Sequence, residues 1–442
     1  MRDVRRSLLR LFIEIAKNLF RNHEFVSYIV KLPYYVILSP HEKVSVYIAK
    51  GTLRSTNQTT AMLYAGSENS LYQLSSLFFS EPFEISYKGK FPFRQVNSLV
   101  GLNRARDIVA IRVARPLSAR YSKRNFLLLP NVSFTLDLRK PMEQTIQRMS
   151  RRRRRDFKKI EASGYTYEIH RKSREALDFF YWKMYLPYAE KRFEKAAYIK
   201  SLLESEIIYR LNGGVLLVKK EKDPVAGILF QIRGKTVLAW SLGVYEGNQD
   251  LVRATEAALL HLITWAKAKG IEKLDYGVSM PFLREGVFIY KKEWGMSVNE
   301  PLEQFLCALK IDSLNEGFLA FLQQNPFIIS DHGLIKGVLL LDESLNRVEL
   351  GEVFSRYYLP NLSSIIVLTY SRSPPPKSID ETDIEVICQK AIHELAKPLE
   401  NLCSLIRERG YRVRATELEA SRAQRSRSSR YDKQTGFCHG ES

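Results

Sequence analysis

One strand–loop–helix stretch, from Leu274 to Gly295, constrains the fold of this chain more than any other. A short apolar strand ends at Gly277, a polar loop leads to Gly286, and an aromatic and basic cluster then closes at Trp294. Polar, glycine-bearing loops at strand ends are where α/β folds place their chemistry. The stretch therefore predicts a mixed α/β fold with a site after this strand. The alternative is an ordinary strand–loop–helix whose aromatic residues only anchor the helix.

Composition bounds the class of protein and its partners. The chain has 442 residues, enough for two or three domains with a substantial core. Hydrophobic residues make up 45% and charged residues 26%, a balance typical of soluble globular proteins. The formal net charge of +20 favours anionic partners, namely RNA, membrane headgroups or a phosphorylated donor, and does not choose among them.

The cysteines and the N-terminus indicate a compartment. The four cysteines form no CxxC pair and no histidine cluster accompanies them, so we expect neither a disulfide framework nor a metal site. This fits a reducing cytoplasm. No apolar run is long enough to span a bilayer, and the basic N-terminus lacks a small-residue cleavage site. We therefore expect a cytoplasmic protein, which would be peripheral at the membrane if its first helix binds there.

The N-terminal part is predicted to contain a helix and then many short strands. Residues 3–21 form an amphipathic helix in which the apolar side chains share one face. That face binds a membrane surface or a partner, or it packs on the protein's own core, which is the commoner arrangement. Residues 34–130 carry short β signals between Gly, Pro, Ser and Asn, and show no catalytic constellation.

A basic helix opens the next segment. Pro141 begins a helix that is predicted to run to about residue 162, with Gly164 ending it. Arg153 falls inside the apolar stripe of this helix, so its guanidinium must either reach water or meet an anion. The other arginines of the run 151–155 predict a solvated face or a surface that contacts phosphates.

Strands and helices are then predicted to alternate up to the stretch that begins at Leu274. Asp223-Pro and Arg233-Gly are tight connections, so the three strands they join are predicted to form an antiparallel meander. Asn248 or Asp250 is expected to cap the following helix, whose first backbone N–H groups could face an anion. The predicted elements are a strand over 165–169, helices over 173–192 and 198–211, strands over 214–219, 225–232 and 236–242, and a helix over 251–269.

Three motifs in this region resemble the GNAT superfamily of acyltransferases, in particular its FemAB-like and cellulose-biosynthesis (CelD/BcsL-like) branch. That branch has a strand running into Asp-[Phe/Tyr]-Gly, then a glycine, then [Phe/Tyr]-Lys-x-x-[Trp/Phe]-Gly. The resemblance covers about residues 131–310. The matching positions are Asp275, Tyr276, Gly277, Gly286, Tyr290, Lys291, Trp294 and Gly295, preceded by the helix end at Trp265, Ala266 and Gly270 and by the basic helix from Arg154 to Gly164.

The resemblance implies an N-acyltransferase that moves an acyl group from acetyl-CoA or another acyl-CoA to an amine on a larger acceptor, without a metal. The chain offers no histidine dyad and no Ser/His/Asp order, which argues against a covalent nucleophile. By the resemblance, Lys291 stabilises charge near the donor phosphates or the reacting carbonyl, and Tyr290 shapes the site or relays a proton. Asp275 is the third catalytic candidate, although an aspartate there could simply cap the loop backbone. The predicted cofactor-binding residues are Asn248, Arg253, Arg153 and Trp294.

The coenzyme A signature of the superfamily is damaged in this chain. GNAT proteins carry Q/R-x-x-G-x-G/A around the pyrophosphate, and the nearest match begins at Arg253 with Glu256 in place of the glycine. A carboxylate there would repel a phosphate and block close approach of the backbone. An aminoacyl-tRNA, as in the FemAB-like branch, is therefore the second candidate donor. A rival of another class is a non-catalytic basic protein that binds RNA or an anionic membrane surface.

The predicted organisation has five segments, and no partner protein can be inferred from them. FemAB-like enzymes often contain two GNAT-like halves, so the resemblance offers residues 34–130 as a degenerate first half, although their sequence does not show it. The segments are an N-terminal helix (1–33), a β-rich subdomain (34–130), a GNAT-like acyltransferase core (131–311), a C-terminal α/β segment without a readable role (312–419) and a disordered basic tail (420–442).

Overall fold

The computed structural model describes residues 43–92, 108–113, 118–193, 199–248, 251–301, 305–342, 350–371, 398–409 and 411–419. The helix predicted over 3–21 and the tail 420–442 lie outside these residues. The C-terminal α/β segment also contains a sequence pattern that predicts a long helix over 381–409; most of it lies outside the described residues, and 398–408 is helical. Among the described residues, no helix is both long and apolar enough to cross a membrane.

Strands and helices alternate along the described chain. The strands are β1 (Lys43–Thr52), β2 (Thr59–Ala65), β3 (Glu84–Pro92), β4 (Ile108–Val113), β5 (Phe126–Leu128), β6 (Val132–Asp137), β7 (Tyr165–His170), β8 (Gly213–Lys220), β9 (Asp223–Arg233), β10 (Thr236–Val244), β11 (Lys273–Ser279), β12 (Ser297–Asn299), β13 (Leu306–Ile311), β14 (Phe327–Asp331), β15 (Leu334–Asp342), β16 (Ser364–Ser371) and β17 (Arg412–Glu419). The helices are α1 (Glu68–Phe78), α2 (Ser118–Ser122), α3 (Met142–Arg148), α4 (Arg151–Ala162), α5 (Arg174–Phe179), a π-helical segment (Phe180–Tyr185), α6 (Leu186–Phe193), α7 (Leu202–Arg210), α8 (Val252–Ala268), α9 (Gly286–Glu293), α10 (Glu316–Gln324), α11 (Leu350–Tyr357) and α12 (398–408).

The chain divides into two compact units. The first comprises Met1–Val132, Met280–Phe288 and Glu300–Ser442. It contains a ten-stranded sheet in the order β17-β16-β15-β14-β5-β13-β4-β2-β1-β3. Strands of the predicted segments 34–130 and 312–419 therefore lie in one sheet, and β13, expected in the acyltransferase core, lies between β5 and β4.

The second unit comprises Ser133–Ser279 and Ile289–Asn299, and it holds the motifs singled out above. Its sheet has seven strands in the order β12-β6-β11-β10-β9-β8-β7. Antiparallel pairing of β8 with β9 and of β9 with β10 confirms the predicted meander. Helices and mixed sheets in both units confirm the predicted mixed α/β class.

Strands β10 and β11 are parallel and separate after a short paired stretch. Residues 236–238 of β10 pair with residues 273–275 of β11. Beyond these three pairs, β10 continues to Val244 and β11 continues to Ser279. We call the region between residues 239–244 of β10 and 276–279 of β11 the strand opening. In open α/β sheets, ligands bind beyond the carboxyl ends of the strands, so this opening is where a site is expected.

The basic helix predicted as one continuous element is two helices. Helix α3 ends at Arg148 and α4 begins at Arg151, because the Ser150 side chain accepts a hydrogen bond from the backbone N–H of Arg153 at 3.2 Å. A serine that satisfies a free N–H in this way starts a new helix. The prediction of an unbroken helix was wrong, whereas its end before Gly164 is confirmed.

The helix predicted over 173–192 contains the π-helical segment, which packs against β10. A Cβ atom at Gly243 would lie 2.5 Å from the carbonyl carbon of Met184 and 2.6 Å from its oxygen. Only glycine permits this approach of two backbones. The close contact places the π-helical segment beside the residues of β10 that border the strand opening.

Helix α8 begins without the side-chain cap that was predicted for it. Its N-cap is Leu251, which has no capping side chain, so the expectation for Asn248 was wrong. Asp250, the other predicted cap, lies outside the described residues. The backbone of Asn248 instead contributes to the turn before α8, because its carbonyl oxygen accepts a hydrogen bond from the backbone N–H of Leu251 at 3.1 Å.

Candidate active site

Strand β11 carries the first motif, and its aspartate shapes the backbone. The strand runs two residues beyond the predicted end at Gly277, which has a φ of +69°. Asp275 accepts a hydrogen bond from the backbone N–H of Gly277 through its Oδ1 atom at 2.9 Å. Glycine adopts this left-handed conformation without strain, and the aspartate holds it. The structure thus shows the capping contact that was the alternative to a catalytic Asp275.

Lys291 lies on α9 and is buried, with only 4% of its surface exposed. Its Nζ donates to the carbonyl of Val278 at 2.8 Å, so it is attached to the β11 side of the strand opening. The ammonium also lies 5.2 Å from the ring centroid of Phe134 and 5.6 Å from that of Tyr276. Aromatic faces stabilise a cation that has left water. Lys291 therefore fixes the end of β11, and its amine lies between a backbone carbonyl and two aromatic rings.

Tyr290 and Trp294 form an aromatic cluster with Tyr276 on the same helix–strand contact. The Tyr290 ring centroid is 6.4 Å from that of Tyr276 and 6.3 Å from that of Trp294. Burial, together with the nearby Glu256 carboxylate, raises the pKa of Tyr290 to about 12, while Arg153 acts in the opposite direction. Tyr290 is therefore a neutral phenol at neutral pH. It can donate or relay a proton only from this protonated hydroxyl.

The Arg153 guanidinium forms ion pairs with carboxylates of the protein itself. Its guanidinium forms an ion pair with Glu256 of α8, and its Nε bonds to Glu293 of α9 at 3.0 Å. Asp156 lies 3.6 Å away, and the guanidinium carbon is 4.7 Å from the centroid of the Tyr290 ring. These contacts tie α4, α8 and α9 together. They also occupy Arg153, so any contact with a donor phosphate would have to compete with three carboxylates.

Glu256 does not stand as an unpaired negative charge at the start of α8. Burial raises the pKa of Glu256, and the Arg153 guanidinium lowers it. Since the carboxylate is half-buried and paired, its charge is offset within the protein. The repulsion expected between Glu256 and a donor phosphate is reduced accordingly.

The remaining two predicted cofactor residues lie at the start of α8. Asn248 and Arg253 are both exposed. Arg253 belongs to the first turn of a 17-residue helix, where backbone N–H groups favour an anion. The structure thus brings Arg153, Tyr290 and Trp294 into one cluster and places Asn248 and Arg253 on the surface of the same unit.

A second lysine borders the strand opening, and no sequence pattern pointed to it. The Nζ of Lys200 donates to the carbonyl of Trp240 and lies 4.3 Å from the indole ring centroid. Trp240 sits at a β-bulge of β10, between Ala239 and Ser241. A β-bulge re-aims side chains and is common beside active sites. The sequence placed Lys200 inside a helix predicted over 198–211, whereas α7 begins only at Leu202, so the position of Lys200 beside Trp240 could be found only from the fold.

Two buried hydroxyls lie on the two strands that separate. Ser241 on β10 is 8% exposed, and Ser279 on β11 is 6% exposed. Neither Oγ atom has a hydrogen-bond partner among the described residues, and the same holds for the indole nitrogen of Trp240. Buried polar groups are nearly always hydrogen-bonded, so unsatisfied ones mark a place where a ligand or water completes the bonding. Both strands that border the opening therefore carry groups able to bind a polar ligand.

The described residues contain no group of three or more His, Cys, Asp or Glu side chains that could hold a metal ion.

Comparisons with known proteins found similarity at the level of structure only. No family model matches the sequence, and no curated protein matches it. Among solved structures, FemX is 13% identical, with 58% of this chain and 82% of that chain covered and a TM-score of 0.34.

Two further solved structures are also similar at low sequence identity. The C-terminal domain of a putative lysylphosphatidylglycerol synthetase from Agrobacterium fabrum is 12% identical, with 71% of this chain and 95% of that chain covered and a TM-score of 0.35. A GCN5-related N-acetyltransferase from Sphaerobacter thermophilus is 10% identical, with 58% and 75% covered and a TM-score of 0.28. At TM-scores this low, function has to be argued from the residues of this chain.

Proposed function

We propose that this chain is a GNAT-like N-acyltransferase, which transfers an acyl group to an amine on a larger acceptor without a covalent enzyme intermediate. The observation that carries the proposal is the strand opening. Two parallel strands pair over three residues and then separate, and each carries a buried hydroxyl without a partner, at Ser241 and Ser279. An extended ligand with amide or carbonyl groups can enter such a gap and bond to strand backbone.

The chemistry of acyl transfer fits these groups. An amine attacks the acyl carbonyl, and negative charge develops on the carbonyl oxygen. Donors that are already fixed in place and shielded from water stabilise that charge best. Backbone N–H groups bordering the opening, together with the two serine hydroxyls, are such donors. Lys291 is proposed to add positive charge at the β11 side, and Tyr290 to shape the site as a neutral phenol.

We propose an acyl-CoA, such as acetyl-CoA, as the donor. Its phosphates would meet the first turn of α8, where Arg253 is exposed and the backbone N–H groups favour anions. The pairing of Glu256 with Arg153 weakens the main objection raised by the sequence, since the carboxylate is not left to repel those phosphates.

A charged tRNA is the second candidate donor, and one observation favours it. Four arginines of α4 are exposed around the buried Arg153, and a long phosphate backbone suits such a surface. The same surface would suit an acceptor on an anionic membrane, and with it a peripheral location. The exposed arginines are Arg151, Arg152, Arg154 and Arg155.

Calorimetric titration at low salt tests the donor. Acetyl-CoA and a longer acyl-CoA are titrated into the wild type, Arg253→Met, Glu256→Gln and, as a control on α4, Arg154→Met. We expect binding to the wild type, weakening of several-fold in Arg253→Met, and unchanged or tighter binding in Glu256→Gln. Wild-type affinity in Arg253→Met would remove α8 from the donor site.

Other results of the titrations would support an aminoacyl-tRNA donor or a non-catalytic binding protein. No heat with either acyl-CoA, together with salt-sensitive binding of charged tRNA, would replace the donor by an aminoacyl-tRNA. Salt-sensitive binding of RNA or anionic vesicles, without transfer from any donor to any amine, would show a non-catalytic binding protein instead.

A further inference from the structure

We infer that Lys200 is the group that accepts the proton released by the acceptor amine. The inference rests on the proposed acyl transfer and assigns a residue that no motif contains. Lys200 precedes α7 and bonds to the carbonyl of Trp240, two residues beyond Leu238, the last residue of β10 that pairs with β11. The amine therefore stands where the strand opening begins.

The backbone of Lys200 is held in place by two phenols of the π-helical segment. The hydroxyl of Tyr181 donates to the carbonyl of Lys200 at 3.1 Å, and the N–H of Lys200 donates to the hydroxyl of Tyr185 at 2.9 Å. A π-helical segment inside an α-helix is often found at a functional site. Here it fixes the lysine relative to β10, against which the same segment packs at Gly243.

The surroundings of Lys200 favour its neutral form. Burial lowers the pKa of Lys200 to about 8, and Glu204 of α7 opposes this by favouring the charged form. Burial also raises the pKa values of Tyr181 and Tyr185, so both stay neutral phenols. Trp240, the contact from β10, carries no charge. An appreciable fraction of the Lys200 amine is therefore unprotonated near neutral pH and can take up a proton.

Groups that could bind the reacting carbonyl stand beside this amine. Ser241, next to Trp240 in β10, is more than nine-tenths buried, and its hydroxyl has no partner among the described residues. The indole N–H of Trp240 is also without a partner there. Each of these buried donors would be satisfied by a polar ligand atom. The cluster thus combines a proton acceptor with hydrogen-bond donors, the two kinds of group that attack by an amine requires.

The proton and electron balance closes without another reactant. The amine nitrogen attacks the acyl carbon, a C–N bond forms, and the carbonyl π pair moves to oxygen. The nitrogen then carries an extra proton, which the neutral Nζ of Lys200 takes up. The C=O bond re-forms as the C–S bond of the thioester breaks, and the leaving thiolate takes that proton from the Lys200 ammonium. The products are an amide and a thiol, and Lys200 is neutral again.

Two substitutions of Lys200 distinguish a catalytic role of its amine from a purely structural one. Lys200→Met removes the amine, whereas Lys200→Arg keeps a donor to the Trp240 carbonyl but cannot act as a base. The matched control is Lys267→Met, since the Lys267 amine likewise donates to a backbone carbonyl, that of Leu138, at 2.7 Å. Melting temperature and calorimetric donor binding are recorded for every variant.

Transfer is measured from acetyl-CoA to methoxyamine, whose nitrogen stays neutral over the pH range used, with the amide product detected by mass. We expect kcat/KM of the wild type to rise with an apparent pKa near 8. Lys200→Met and Lys200→Arg should both lose about 10²-fold or more and lose that ionisation, while donor binding and Lys267→Met stay near wild type.

The outcomes that overturn the assignment are distinct from those that overturn the proposed function. An active Lys200→Arg protein, or an unchanged pH profile in Lys200→Met, would make Lys200 structural and leave acyl transfer standing. Absence of wild-type transfer from acyl-CoA or charged tRNA to any amine of a panel would overturn both. If Lys200→Met fails to fold, the Lys200→Arg protein alone decides, because it retains the contact.

Discussion

Removing Arg153 should destabilise the second unit by an amount that depends on pH. The guanidinium is 6% exposed, while its partners Glu256 and Glu293 are 15% and 24% exposed. In Arg153→Met both carboxylates lose their counter-charge in a largely dry contact between three helices. Breaking a buried ion pair by removing one partner costs about 3–5 kcal/mol. Whole domains are stable by about 5–15 kcal/mol, so the loss would be a large part of the total.

The direction of the pH dependence follows from Glu256. Burial already raises the pKa of Glu256, and Arg153 is the group that lowers it. Without Arg153 the folded-state pKa rises further above its unfolded value. A carboxyl group of this kind contributes stability while protonated, and that contribution is lost as the pH rises through the folded-state pKa. The loss in Arg153→Met should therefore be larger at mildly alkaline than at mildly acidic pH.

Tryptophan fluorescence reports on the second unit alone, because all four tryptophans lie in it. Urea unfolding of the wild type, Arg153→Met and Arg154→Met is followed at both pH values, and Arg154 is the exposed neighbour on the same helix. Adding Glu256→Gln to Arg153→Met should recover part of the loss. If Arg153→Met behaves like Arg154→Met, or if its loss is the same at both pH values, the reasoning about a buried charge network is refuted.

Three further changes have expected outcomes. Lys291→Met removes the buried donor to the Val278 carbonyl, so we expect the free energy of unfolding in urea to fall by about 1–3 kcal/mol. If the Lys291 amine faces the oxyanion, turnover should also fall by about 10²-fold. A variant equal to the wild type in both measurements would exclude a role of Lys291 at the site. Gly243→Ala places a Cβ 2.5 Å from Met184, so we expect a lower melting temperature and lost transfer activity, and an unchanged melting temperature would show that the two backbones are not held together. Truncation at residue 420 should leave the melting temperature nearly unchanged, since the tail has no apolar periodicity, and a large loss of soluble protein would contradict this.

The elements that the sequence could predict are those with local signals. Strands β8, β9 and β10 form the predicted meander. The turn predicted at Asp223-Pro lies just before it, at residues 221–222, and the turn predicted at Arg233-Gly lies at residues 234–235. The motif from Leu274 to Gly295 forms the expected strand, loop and helix. Each of these depends on turn residues and periodicity that lie within one short window.

The rest depends on contacts between distant residues. Arg153 was expected to reach water or an anion, but its partners Glu256 and Glu293 lie 103 and 140 residues away in sequence. The π-helical segment packs closely against Gly243, a residue outside its own local sequence, and residues 173–192 were predicted as one ordinary helix. Lys200 acquires its place through the fold of β10, and no pattern around it distinguishes it from a surface lysine.

The strand order of the first unit determines when its sheet can be completed during synthesis. Strand β4 pairs with β2 on one side and with β13 on the other, and β13 follows the entire second unit in the chain. At cellular synthesis rates the free edge of β4 would wait for roughly 10–40 s. An unpaired apolar strand edge is a template for aggregation. A chain that stops short of Leu306 would leave this edge of β4 without its β13 partner.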